Sequence, residues 1–172
     1  RVAGLGASTS VADTLAGFSS RGPSIIDTVT GEIILKPDVT APGVAITSTD
    51  AGSGTGSLTI GGTSMASPHV TGVAALMRQV HPTWTVSQIK ALIMNTANHD
   101  LWTEINQTGD NYGVSRIGAG RVDISLALGS EVVAYATAHP ERVSVSFSLV
   151  EVIDTATISQ SITIQNRGAA SQ

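Results

Sequence analysis

The chain predicts an α/β fold, and three features carry that expectation. Short apolar runs near glycine or proline, such as Val44-Ala45-Ile46-Thr47-Ser48 and Ser57-Leu58-Thr59-Ile60, read as strands. Two longer segments, from about Ser64 to Val80 and from Thr85 onward, repeat apolar residues at helical spacing. Beyond Gly129, apolar and hydroxyl side chains alternate with period two, as in a half-buried strand.

The totals bound the class. Of 172 residues, 41% are hydrophobic and 13% charged, so the chain forms a core and is not a disordered tail. Aromatics are only 3% while glycine numbers 18, a composition that lets backbone segments approach closely. A formal charge of −4 without a basic cluster argues against nucleic-acid binding. No apolar run is long enough to span a bilayer. Cysteine is absent, which excludes disulfides, thiolate metal sites and cysteine nucleophiles. Arg1 opens directly into a strand-like run without a signal peptide, so the chain is expected to start within a longer protein.

In order, Val2 to Leu5 is a short apolar run, and Phe18-Ser19-Ser20-Arg21-Gly22-Pro23 is a loop by composition. Ile25 to Leu35 reads as a hairpin with its tip at Asp27 to Gly31. Lys36 to Val44 is extended, because the residue before each proline is pushed out of the helical region. Ala51 to Gly56 is a flexible loop.

The helix from Ser64 carries Val70, Val73, Ala74 and Met77 on one face, and Ala66, Ala75, Leu76 and Val80 extend the apolar surface nearly all round. Such a helix is expected to be buried in the middle of a domain. Pro68 is tolerated because it lies in the first turn. Thr85-Val86-Ser87-Gln88 forms a capping box for a second, amphipathic helix that holds Ile89, Leu92 and Ile93 inward and Lys90 outward. Asn98 to Val114 reads as an irregular surface loop, and Asp123 caps a short third helix. Val143, Val145, Phe147 and Leu149 predict a strand, as do Ile158, Ile162 and Ile164, which would open a β-sandwich too short to close within this chain. The expected division is 1–129, a linker at 130–139, and 140–172.

The chemistry concentrates in Gly61-Gly62-Thr63-Ser64-Met65-Ala66-Ser67-Pro68-His69-Val70. A glycine-rich turn delivers a hydroxyl to a helix N-terminus, where backbone N–H groups lack intrahelical partners and the helix dipole adds positive charge. A serine there can attack a carbonyl while its own N–H faces the developing oxyanion. Alone, the pattern also fits a capping serine. A phosphate cradle would need a lysine after the glycines, and none is present.

Gly62 to Val70 resembles the active-serine signature of the subtilases. Phe18 to Pro23, Lys36 to Gly43, His81-Pro82-Thr83-Trp84-Thr85 and Gly118 to Asp123 resemble that family in the family's order, so the likeness covers roughly residues 1–129. The resemblance implies the C-terminal portion of a doubly wound, mostly parallel sheet with a central buried helix. A fibronectin-III-like or other β-sandwich domain would begin at 140–172. It also implies a serine endopeptidase acting on polypeptides through an acyl-enzyme. Ser64 matches the nucleophile, Thr63 sits beside the oxyanion hole, and Gly62 and Met65 border the substrate. No cofactor is required, structural calcium is possible, and the location is extracellular or at the cell surface.

The chain departs from that pattern in one respect. The family's triad runs Asp, His, Ser, yet no histidine precedes Ser64 and the first asparagine is Asn95. His69, His81, His99 and His139 have no reason to reach Ser64. The triad acid, the base and the oxyanion asparagine are expected from the missing N-terminal half of the domain, and the isolated chain is expected to be inactive. A non-catalytic surface or interaction protein of the same fold is the alternative. Asp38 is expected to hold a turn, and Trp84 and Trp102 to pack; Asp100, Glu104 and Asp110 share a polar loop where a weak Ca²⁺ site is conceivable, but their scattered spacing argues for a solvated surface.

Overall fold

The computed structural model describes residues 13–24, 33–148 and 150–169. Along the chain lie strands β1 (Ile46–Thr49) and β2 (Ser57–Ile60), then helices α1 (Thr63–Val80) and α2 (Val86–Asn95). Strands β3 (Trp102–Glu104) and β4 (Thr108–Asn111) follow, then α3 (Val114–Ile117), α4 (Ile124–Gly129), β5 (Val132–Ala136) and β6 (Ile162–Asn166).

Helix α2 forms where its cap is written. Thr85 Oγ1 accepts from Gln88 N at 3.2 Å, and Gln88 Oε1 accepts from Thr85 N at 2.9 Å. Asp123 caps α4 by accepting from Leu126 N at 3.0 Å. The core gathers Val73 and Met77 of α1, Ile89 and Ala91 to Met94 of α2, Ala127 of α4, Val133 of β5, and Trp84 and Val143. Trp84 packs beneath His81, whose ring stacks at 4.0 Å.

The two long helices exchange the roles their patterns suggested. Only Val73 and Met77 of α1 are buried, while Leu76 and Val80 are 44% and 49% exposed. The expected central buried helix is therefore covered on one side only, because among the described residues α2 and α4 pack on a single face. Helix α2 is not simply amphipathic: Ala91, Leu92, Ile93 and Met94 are all buried, since α1 and α4 pack on it as well as β5. Lys90, expected to point outward, pairs with Asp38 at 3.4 Å and donates to the Glu141 carbonyl at 3.1 Å.

The sheets also depart from expectation. The described residues form three two-stranded antiparallel sheets, β1–β2, β3–β4 and β5–β6. Parallel pairing is confined to isolated bridges at Thr14–Trp102 and Thr40–Arg121, so the mostly parallel doubly wound sheet is not formed among them. A parallel ladder needs neighbouring strands brought together by long crossovers, and here each such approach lasts one residue pair. The expected strand at Val2 to Leu5 and the tip at Asp27 to Gly31 lie outside the described residues, but Ser24 and Ile34 bridge as hairpin ends should.

Asn98 to Val114 is not an irregular loop, for it contains the β3–β4 hairpin. Its turn places Asn106 and Gln107 at φ 62° and 57°, left-handed angles that asparagine tolerates well. Residues 130–139 hold β5, whose buried Val133 and Ala136 make it a packed strand and not a free tether. It pairs with β6 from Val132–Asn166 to Ala136–Ile162. The run from Val143 forms no strand among its described residues: Val143 and Ser148 adopt φ 65° and 56°, which interrupts an extended ladder. Two of its serines bond the Ile33 backbone instead, Ser146 Oγ to the carbonyl at 2.7 Å and Ser148 Oγ from the N–H at 3.1 Å.

Candidate active site

Two segments meet at the start of α1. The first is the β1–β2 hairpin, in register from Ile46–Ile60 to Thr49–Ser57, with Thr47 and Thr59 hydroxyls joined at 2.7 Å. It feeds Gly61-Gly62 directly into the helix. The second is the extended run ending at Gly43, whose carbonyl accepts from Gly62 N at 2.7 Å.

Gly62 is the N-cap of α1 and has no side chain with which to cap it. Its carbonyl takes the first helical bonds, from Met65 N at 3.0 Å and Ala66 N at 3.4 Å. Thr63 and Ser64 are thus the first two helical residues, where N–H groups have no intrahelical acceptor. Ser64 is not the cap, which removes the capping role its sequence setting allowed. Its hydroxyl is exposed and meets no hydrogen-bond partner among the described residues. Thr63 is exposed beside it, Gly62 and Met65 are half-buried, and the Met65 sulfur lies against Gly62. All four residues expected at the site therefore share one helix terminus. A hydroxyl free of structural duty beside unpaired N–H donors is an arrangement suited to acyl transfer.

No histidine completes it. His69 Nδ1 lies 2.7 Å from the Met65 carbonyl, held against its own helix. His81 stacks on Trp84, His139 sits 3.3 Å from Glu141, and His99 is exposed. Asp38 pairs with Lys36 at 2.7 Å as well as with Lys90, far from any role as a triad acid. Among the described residues no group of three His, Cys, Asp or Glu is placed to hold a metal ion, Asp100, Glu104 and Asp110 included. Trp84 is buried and Trp102 half-buried, as packing residues should be.

Residues 4–120 match the subtilase family, peptidase S8. The chain belongs to the subtilase family. It is 43% identical over 127 residues to the minor extracellular protease Vpr of Bacillus subtilis (strain 168), covering 70% of this chain and 14% of that protein. It is 40% identical over 130 residues to the CO(2)-response secreted protease of Arabidopsis thaliana, covering 68% and 16%. This subtilase chain thus spans about a seventh of the length of such relatives. It is also similar to a solved structure, fervidolysin from Fervidobacterium pennivorans, a keratinolytic enzyme related to subtilisin, at 31% identity and TM-score 0.41 over 55% of this chain and 16% of that one. The family match takes in β1 through α3 with the serine turn, while α4, β5 and β6 follow it.

Sequence reasoning did not single out the contact of Gly43 with Gly62. A glycine closing the Ala41-Pro42 run, where no turn was expected, was the available signal.

Proposed function

We propose that this subtilase segment supplies the nucleophile of a serine endopeptidase. The observation that carries the reading is the unencumbered Ser64 hydroxyl at the second position of α1, behind a cap with no side chain. Ser64 Oγ attacks the carbonyl carbon of a peptide bond and gives its proton to a base as the new C–O bond forms. The carbonyl electron pair moves onto oxygen, which the Ser64 N–H faces. Collapse breaks the C–N bond, the amine leaves with a proton returned by that base, and water then cleaves the ester.

His69, His81 and His139 have other partners, and in this reading the base, its acid partner and a second oxyanion donor are supplied from outside these residues. Met65 borders the leaving-group side, where sulfur oxidation would impair turnover. Two relatives are named as extracellular or secreted, which supports a location outside the cell. No helix among the described residues is long and apolar enough to cross a membrane. The chemistry requires no cofactor.

In the full-length protein, Ser64→Ala is expected to lower kcat for peptide hydrolysis by about 10⁵-fold or more with KM little changed. Retention of about a hundredth of wild-type turnover contradicts the assignment.

A further inference from the structure

We propose that Gly43 is a positioning residue for Ser64, an inference that rests on the nucleophile reading above. The backbone at Gly43 lies outside the left-handed region, so conformation does not demand glycine there. Space does. A Cβ at this position would stand 2.8 Å from the Gly62 carbonyl oxygen and 3.4 Å from Ala66 Cβ. The Gly62 carbonyl is the first acceptor of α1, and the Gly62 N–H donates to the Gly43 carbonyl at 2.7 Å. Gly62 is held on both of its polar groups, and the residue holding it from outside the helix is Gly43.

The holding segment is itself fixed. Ala119 N donates to the Asp38 carbonyl at 2.9 Å, Thr40 N to the Gly120 carbonyl at 2.8 Å, and Val122 N to the Thr40 carbonyl at 3.0 Å. The Asp38 carboxylate is paired with Lys36 and with Lys90 on α2. Gly118, at φ 62°, fits so tightly that a Cβ would lie 2.3 Å from the Asp38 carbonyl oxygen. A continuous backbone path thus runs from 118–122 through 38–43 to the turn that begins α1. Residue 64 lies two positions beyond Gly62, so a displaced Gly62 carries both the attacking Oγ and the oxyanion-facing N–H with it. Acyl transfer tolerates such displacement poorly, since donors must sit about 2.7–3.1 Å from the oxyanion, and a misplacement of about 1 Å can cost about a hundredfold in rate.

The test uses the full-length protein and a small fluorophosphonate. Labelling amplitude counts reactive sites, and the labelling rate constant reports acylation per site. Gly43→Ala is expected to label about 10- to 100-fold more slowly per site and to lose kcat for a peptide with KM changed less than about twofold. Val133→Ala, a cavity in the core, serves as the structural comparison: it reduces amplitude on warming and leaves the per-site rate at the wild-type value. Should Gly43→Ala yield no folded protein, Gly61→Ala takes its place, because a Cβ there presses the Gly43 carbonyl oxygen at 3.3 Å. That variant is expected to label about threefold more slowly. A per-site rate equal to wild type overturns the role of Gly43 and leaves Ser64 as nucleophile. Absence of any Ser64 adduct in the wild-type protein overturns the nucleophile reading itself.

Discussion

Ser64 owes its freedom to its neighbours. Had residue 62 carried a hydroxyl or carboxylate, its side chain would cap α1 and occupy N–H groups that the proposed reaction needs for its oxyanion. The glycine leaves them open. Thr85 shows the opposite arrangement, a side chain closing a helix start that has no chemistry to do. Thr85→Ala is expected to cost about 1 kcal/mol, measured as a lowered denaturation midpoint with no change in labelling rate at Ser64. Both helix starts were legible because capping chemistry and the serine turn are local in sequence. Lys90 was not, since its partners Asp38 and Glu141 are placed by the fold and not by helical spacing. Gly43 was missed for the same reason: its partner is 19 residues away in the chain.

At the scale of elements, periodicity located α1 and α2, and the Asp123 cap located α4, but their surroundings were assigned less well. Apolar residues all round α1 predict burial all round, yet Leu76 and Val80 stand open among the described residues. Helix α2, patterned for one buried face, is covered on several because β5 returns from a distant part of the chain. The hairpin at β3–β4 escaped notice because its strands are short and polar, leaving no alternation to read. If α1 is the interior helix its sequence describes, other parts of the full-length protein cover its outer face. Leu76→Ala should then cost about 2–4 kcal/mol there, close to Leu92→Ala. A loss of about 0.5 kcal/mol or less, the usual effect of a surface substitution, would show that this face remains in water.

At the scale of the whole molecule, the described residues present an exposed serine hydroxyl at a helix start with no histidine against it, and several large apolar side chains left open. Leu76, Val80 and Val86, together with Ile153, Ile162 and Ile164 in the C-terminal stretch, are all more than 40% exposed. Exposed apolar area of this extent favours association with further protein surface. Family membership follows from motifs that sequence displays directly, whereas the sheet does not: among the described residues only antiparallel pairs and isolated parallel bridges are formed. The central claim is that Ser64 is a nucleophile whose activating partners lie outside these 172 residues. The measurement that tests it most directly is mass-spectrometric mapping of a fluorophosphonate adduct on the full-length protein and on the isolated chain side by side. The account predicts an adduct on Ser64 in the full-length protein and none in the isolated chain. An adduct on another residue of the active full-length protein, or equal labelling of Ser64 in the isolated chain, would contradict it.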